Sequence, residues 1–247
     1  MPLLGLHMTV ARQIARELDS AVIDSDPGAY YLGATTPDIR AKTGWPRERT
    51  HFFQLDDFGE QSGVRRLFEE QPELRDVASL NASTGAFMAG YISHLVLDEE
   101  YIVQIYRQYF GTGGVLNERT RPDVKDRLLQ LDLERQERED TAAVTEIRDA
   151  LAATTVEVAI EFIARETLSE WRDWQVQHIV NAPSFERMIA RHLHNAGVVG
   201  DDAIAVFMGQ ADAELRETME GVGEDRVREY LSSAKAKAQR QMKEYLS

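Results

Sequence analysis

One face of the first predicted helix is apolar throughout, and it begins with a histidine. His7, Val10, Ala11, Ile14, Ala15 and Leu18 fall at i, i+3, i+4, i+7, i+8 and i+11, with Arg12, Gln13, Arg16 and Glu17 opposite. That is the stripe of an amphipathic α-helix. The same period predicts helices near 60–71, over 80–110, and over 121–139, 142–164, 166–180, 184–196, 201–220 and 224–246. Neither a strand series nor an internal repeat interrupts it. The pattern confines the chain to an all-α fold. We expect a single multi-helix domain over 1–247, with a core at 1–110 and a helical C-terminal part at 115–247.

Breakers punctuate the helices. Pro72 stops the helix near 60–71, and Gly111-Thr112-Gly113-Gly114 ends the long one. Residues 20–60 differ, with Asp24-Ser25-Asp26-Pro27-Gly28, Thr35-Thr36-Pro37-Asp38 and Thr43-Gly44-Trp45-Pro46 reading as turn clusters. A short helix is expected over 28–34 and loop over the rest, a usual place for function in a helical protein. The charged run Leu133–Asp140 reads as a solvated helix face or an exposed connection. The charged amphipathic tail 224–247 suits packing on the body or on a partner.

Composition narrows the chemistry. The chain of 247 residues has no cysteine, so thiolate nucleophiles, disulfides and Cys-based zinc sites are excluded. Any zinc must be held by nitrogen and oxygen, and only six histidines are present. The net charge of −14 repels DNA and anionic lipid, which argues against a non-specific nucleic-acid binder and favours a small ligand. No stretch of about 18 apolar residues forms a membrane span. The start lacks the basic and long apolar regions of a secretory signal, so a cytoplasmic protein is expected. Walker A, Gly-x-Gly-x-x-Gly, Gly-x-Ser-x-Gly and His-Glu-x-x-His motifs are absent.

His94 and Asp98 stand four apart on the long predicted helix, one turn apart on one face. That face also carries Phe87, Gly90, Tyr91, Leu97, Tyr101 and Ile102, so both polar groups point inward. A buried carboxylate must be paired, hydrogen-bonded or metal-bound. The pair suits chelation of one metal, or a plain His–Asp hydrogen bond. Gly85, Ala86, Ala89 and Gly90 leave room for a neighbouring backbone. Pro37 stiffens the turn bearing Asp38, which either aims that carboxylate inward or caps the next helix. His51 precedes two phenylalanines that should dock on the core, and His7 heads its own apolar stripe. Taken together, Asp38, His51, His94 and Asp98 form a reasonable zinc set, with His7 a fifth candidate.

Tyr30-Tyr31-Leu32-Gly33-Ala34-Thr35-Thr36-Pro37-Asp38-Ile39, then Thr50-His51-Phe52, then Gly90-Tyr91-Ile92-Ser93-His94-Leu95-Val96-Leu97-Asp98 resemble the zinc-dependent phospholipase C family. That family is related to the fungal single-strand nucleases. The likeness covers roughly residues 5–110. It implies an all-α phosphoesterase of the phospholipase C/nuclease type, with zinc held by Asp38, His51, His94 and Asp98. It also implies that Asp98 bridges to a second metal held by His7 and the amino terminus. Removal of Met1 would make the nitrogen of Pro2 that terminus. Asp38 would orient or deprotonate the attacking water.

The sequence departs from the family where relatives carry a further histidine, because Gln104 stands there and no later His-x-x-x-acid pair follows. A third metal site would have to be rebuilt from His178, His192 or His194, with Glu166, Glu170 and Asp173 nearby. His192 and His194 are two apart and cannot share a helix face. Arg40, Arg47 and Arg49 flank two proposed ligands. They either grip a phosphate, a role assigned here to Arg40 and Arg49, or bridge on the surface to Glu48, Asp56 or Asp57. The leading expectation is a metal-dependent hydrolase of a small phosphoester rather than of a membrane surface. The alternatives are a non-catalytic helical protein with a residual structural metal site, or a metalloenzyme of other chemistry on this scaffold.

Overall fold

A computed structural model of the chain describes residues 3–55, 57–59, 61–116, 122–179, 185–195 and 200–247. No strand forms among them, as the all-α reading expects. Helix α1 (Leu4–Leu18) is followed by α2 (Ala21–Ser25), α3 (Pro27–Gly33), a 3-10 turn (Thr36–Ile39), and the single-turn helices α4 (Arg40–Thr43) and α5 (Glu48–His51). Next come α6 (Gly63–Glu70) and the central α7 (Ala82–Tyr101). The second half contains α8 (Pro122–Glu137), α9 (Thr141–Ala153), α10 (Arg165–His178), α11 (Phe185–Asn195), α12 (Asp201–Val222) and α13 (Glu224–Tyr245). No helix of the described residues is long and apolar enough to cross a membrane.

Helix α7 is the axis of the molecule. Every residue from Thr84 to Glu99 is buried, which its near-continuous apolar sequence allows. Helix α3 crosses it at backbone contact. A Cβ on Gly33 would lie 1.9 Å from the Phe87 carbonyl oxygen, and one on Gly90 would lie 2.0 Å from that of Tyr30. Each helix gives up a side chain where the other's backbone passes, as the small residues of α7 lead one to expect. Helix α13 closes another side of α7. Its stripe Tyr230, Ala234, Ala238 and Met242 is fully buried, and Tyr230 donates to the Leu97 carbonyl at 3.3 Å. Lys237 pairs with Glu99 at 3.2 Å and Glu100 at 2.6 Å. The tail therefore packs on the body.

Helix α8 serves two cores. Leu129 and Leu133 join the main one, while Val124, Leu128 and Leu131 pack with Ile189, Leu193 and Ala211 of α11 and α12.

Three expectations are corrected. Helix α9 stops at Ala153 instead of running to 164. In the segment that follows, buried Thr154, Val156 and Val158 alternate with exposed Thr155, Glu157 and Ala159. That period of two belongs to extended backbone, and consecutive β-branched residues disfavour helix. The segment lies along α7, with Asn81 donating to the Glu157 carbonyl at 3.2 Å and Ala159 N–H to Thr84 Oγ1 at 2.9 Å.

The long helix expected over 80–110 changes at Tyr101 into a π-helical stretch, Ile102–Phe110. Its Arg107 lies near Phe53 and Phe58 and donates to the carbonyls of Gln54, Leu55 and Asp57, the last at 2.6 Å. It thereby pins the connection after α5.

The charged run 133–140 is not wholly solvated. Leu133 and Glu134 are buried, and Glu134 has a structural task described below.

Candidate metal centre

The centre is assembled from α1, α7 and the turns between α3 and α6. Helix α1 has no side-chain cap at its own start, so its first N–H groups need outside partners. Glu134 of α8 supplies one, accepting from Leu6 N–H at 3.2 Å. A Cβ on Gly5 would lie 2.6 Å from the same carboxylate, so glycine opens the space. A negative charge also suits a helix N-terminus. The contact fixes the turn of α1 that carries His7.

The close crossing of α3 and α7 sets His94. The carbonyl of Ala34, just after α3, lies 2.9 Å from His94 Nδ1. A carbonyl only accepts, so Nδ1 carries the proton and Nε2 presents a lone pair. His7 stacks on this ring, with centroids 3.7 Å apart and an 8° interplanar angle.

Asp38 lies in the 3-10 turn Thr36–Ile39, just after Pro37, not at the cap of α4. The turn is tied down by Thr50, whose hydroxyl donates to the Pro37 carbonyl at 2.7 Å. That hydroxyl oxygen lies 3.3 Å from His51 Nδ1. With its own proton committed to Pro37, Thr50 accepts from Nδ1–H and leaves His51 Nε2 unprotonated. Tyr91, one turn before His94, donates to the Thr50 carbonyl at 2.5 Å and holds α5 in place. Helix α5 ends on Phe52, a non-glycine residue at φ 55°. This left-handed conformation is strained. Packing of the ring on Tyr91 and Phe162 holds it there.

These elements bring the five sequence-predicted ligands together. His51 Nε2 lies 3.4 Å from Asp38 Oδ1 and 3.3 Å from Asp98 Oδ2, and His7 Nε2 lies 3.8 Å from Asp98 Oδ1. His7, His94 and Asp98 form one triad and Asp38, His51 and His94 another, with ligand atoms within 4.8 Å of each other in each. His7, His51, His94 and Asp98 are at most 1% exposed, whereas the Asp38 side chain is 18% exposed. Solvent meets the ligand set at Asp38.

Protonation favours a cation. Burial holds His94 well below its ordinary pKa and lowers His7 as well, so both imidazoles are neutral. Burial pushes Asp98 up, but Arg47, with His51, His94 and His7 beside it, together outweigh that and keep the carboxyl below its usual range. Burial also works against Asp38, and the imidazoles of His51, His94 and His7 together more than offset it, holding the carboxyl below its usual range. Both carboxylates are therefore ionised beside the neutral rings of His7 and His94.

The fit to a metal rests on orphaned atoms. Both nitrogens of His7, Nε2 of His51 and His94, and Oδ1 of Asp98 are buried with no hydrogen-bond partner among the described residues. Buried polar atoms are rarely left unsatisfied. Each neutral imidazole offers one lone pair and Asp98 Oδ1 another, the donors that zinc takes, so residues and metal fit.

The arginines divide differently from the sequence expectation. Arg47 is 6% exposed, and its Nη2 meets Asp98 Oδ2 at 2.6 Å. Surface bridging does not describe it, and Asp56 lies outside the described residues. Arg47 stands four residues before His51 on the same turn. That spacing was the available signal, and sequence reasoning passed over it. Arg40 is exposed and donates to the Trp45 carbonyl at 3.4 Å. Arg49, also exposed, lies 3.6 Å over the Trp45 ring and donates to the Phe162 carbonyl at 3.3 Å.

The remaining histidines stay apart from the centre. His178 stacks on Trp174 and contacts its carbonyl at 2.7 Å, His192 pairs with Asp123 at 3.5 Å, and His194 is exposed. None joins a three-ligand cluster among the described residues. Gln104 hydrogen-bonds Glu100 and Ser233. Met1 and Pro2 lie outside the described residues. No protein-family model, curated protein or solved structure matches the chain.

Proposed function

We propose that this chain is a zinc-dependent hydrolase of small phosphoesters, of the phospholipase C-like kind that its motifs resemble. The observation that carries the reading is the convergence of orphaned nitrogen and oxygen lone pairs from His7, His51, His94 and Asp98 beside partly exposed Asp38. A bound zinc would supply Lewis acidity, polarising a phosphoryl oxygen and making water acidic near pH 7. The protein's own groups do the rest. Ala34 and Thr50 hold two imidazoles in the tautomer that offers Nε2. Asp38, open to solvent, accepts the proton of the water that attacks phosphorus, and as the ester P–O bond breaks the leaving oxygen departs and takes its proton from solvent. Burial of the histidines keeps them neutral, so they do not compete for that proton.

The formal charge of −14 favours a small soluble substrate over an anionic membrane surface. The reading includes the cytoplasmic setting expected from the sequence.

A second reading draws on burial. With four of five ligands at most 1% exposed, an ion would staple the turns of residues 35–55 to α1 and α7 without catalysis, since structural zinc sites are closed. Chelator-treated and zinc-reloaded protein on a panel of nitrophenyl phosphomonoesters and diesters separates the two. Turnover that chelator abolishes and zinc restores is expected. Bound zinc with no turnover on any ester favours the staple, and absence of bound metal defeats both.

A further inference from the structure

The resemblance implies a carboxylate that bridges two metals. The arrangement around Asp98 and His94 does not fit that. His94 belongs to both ligand triads. Its Nδ1–H is committed to Ala34, so it has a single lone pair, on Nε2, and one such lone pair binds one ion. Asp98 is restricted too. Arg47 Nη2 occupies Oδ2 at 2.6 Å, and only Oδ1 is left without a partner. The oxygen a bridge would need lies against the permanent positive charge of Arg47, which repels a second cation there.

We propose that the centre is mononuclear, and that Arg47 stands in place of a second metal as a fixed positive charge whose free N–H groups bind the phosphoryl oxygens of the substrate. The proposal rests on the hydrolase reading given above. Arg47 is 6% exposed, yet its Nε and Nη1 have no hydrogen-bond partner among the described residues. Unsatisfied donors on a buried charge are costly and call for an acceptor. A planar fork with free N–H groups matches the oxygens of a phosphoryl group.

Charge points the same way. The carboxylates of Asp38 and Asp98 contribute −2 and Arg47 contributes +1, so one divalent ion leaves the centre at +1. That balance attracts an anion without leaving several unneutralised buried charges. Arg40 and Arg49 are exposed and engaged around Trp45, which leaves Arg47 as the arginine in contact with a ligand.

The test pairs two measurements on the full chain. Zinc stoichiometry is read by elemental analysis after dialysis. Inorganic phosphate binding to the zinc-loaded protein is read by calorimetry, for wild type, Arg47→Gln and Arg47→Lys. Arg47→Lys keeps the charge opposite Asp98 but loses the fork, so it decides the matter if Arg47→Gln fails to fold. One zinc per chain is expected in wild type and Arg47→Lys, with phosphate affinity at least about tenfold weaker in the variant. Two zincs per wild-type chain overturn the proposal and leave the hydrolase reading standing. Undetectable phosphate binding to wild type, or unchanged affinity in Arg47→Lys, also overturns it. Absence of bound zinc overturns both readings.

Discussion

His7 and His94 stack ring on ring, 3.7 Å apart and 8° from parallel, so protonating either one places a buried cation against the other imidazole. Both have pKa values lowered by burial, His94 strongly. Their unfolded forms take up protons below about pH 6.5, while the folded forms resist. Stability from this term is therefore fully present above pH 6.5 and falls with pH, because the unfolded state then binds more protons. Metal-free protein should lose about 1.4 kcal/mol per pH unit for each such histidine within that window. Thermal melts between pH 7.5 and 5 check this, and His94→Phe should flatten the profile. A wild-type melting temperature that does not move over the range would contradict the neutral, buried state.

Zinc should stabilise the fold. At a free concentration one hundred times its Kd the gain is about 2.7 kcal/mol, or roughly 5–10 °C for a chain of this size. Melting with zinc and with chelator measures it. His94→Ala removes a member of both triads and should abolish the difference, whereas Arg49→Ala should retain it.

Asp38→Asn is expected to lower kcat by about 100-fold or more, the range typical of a lost general base. The assay is run at saturating zinc, because Asp38 also contributes to the ligand set. A variant with full turnover would remove Asp38 from the chemistry.

Gly90→Ala tests the crossing that positions His94. The new methyl would lie 2.0 Å from the Tyr30 carbonyl oxygen and 2.7 Å from Ala34 N, so α3 and α7 must separate. Overpacking of this kind costs about 1–3 kcal/mol. Zinc affinity should also fall, because Ala34 holds the His94 tautomer. Denaturant titration and zinc calorimetry read the two effects. A loss of stability without loss of affinity would disconnect the crossing from the centre.

The helical class was legible because its signal is local and repeated, from the stripe headed by His7 to that of α13. The cluster of candidate residues was legible because His94 and Asp98 share one helix face and Asp38 and His51 sit beside rigid turn residues. The sequence showed less where long-range partners decide. Glu134 looked solvated within its charged run, and only the arrival of Gly5 and Leu6 explains its burial. Arg47 was one of three arginines read either as a phosphate grip or as a surface bridge, until the fold brought Asp98 to it, 51 residues away in sequence. The end of α9 was misplaced for a different reason. Thr154-Thr155-Val156-Glu157-Val158 alternates visibly, but helical neighbours on both sides masked a five-residue change of period.

Helix α13 is synthesised after every element it covers. Until Tyr230 reaches the Leu97 carbonyl and Lys237 reaches Glu99 and Glu100, one flank of the strand of polypeptide bearing His94 and Asp98 stands open on the ribosome. His7, Asp38, His51, His94 and Asp98 have by then all been translated. Order of synthesis thus leaves the covering of that flank to the last residues made.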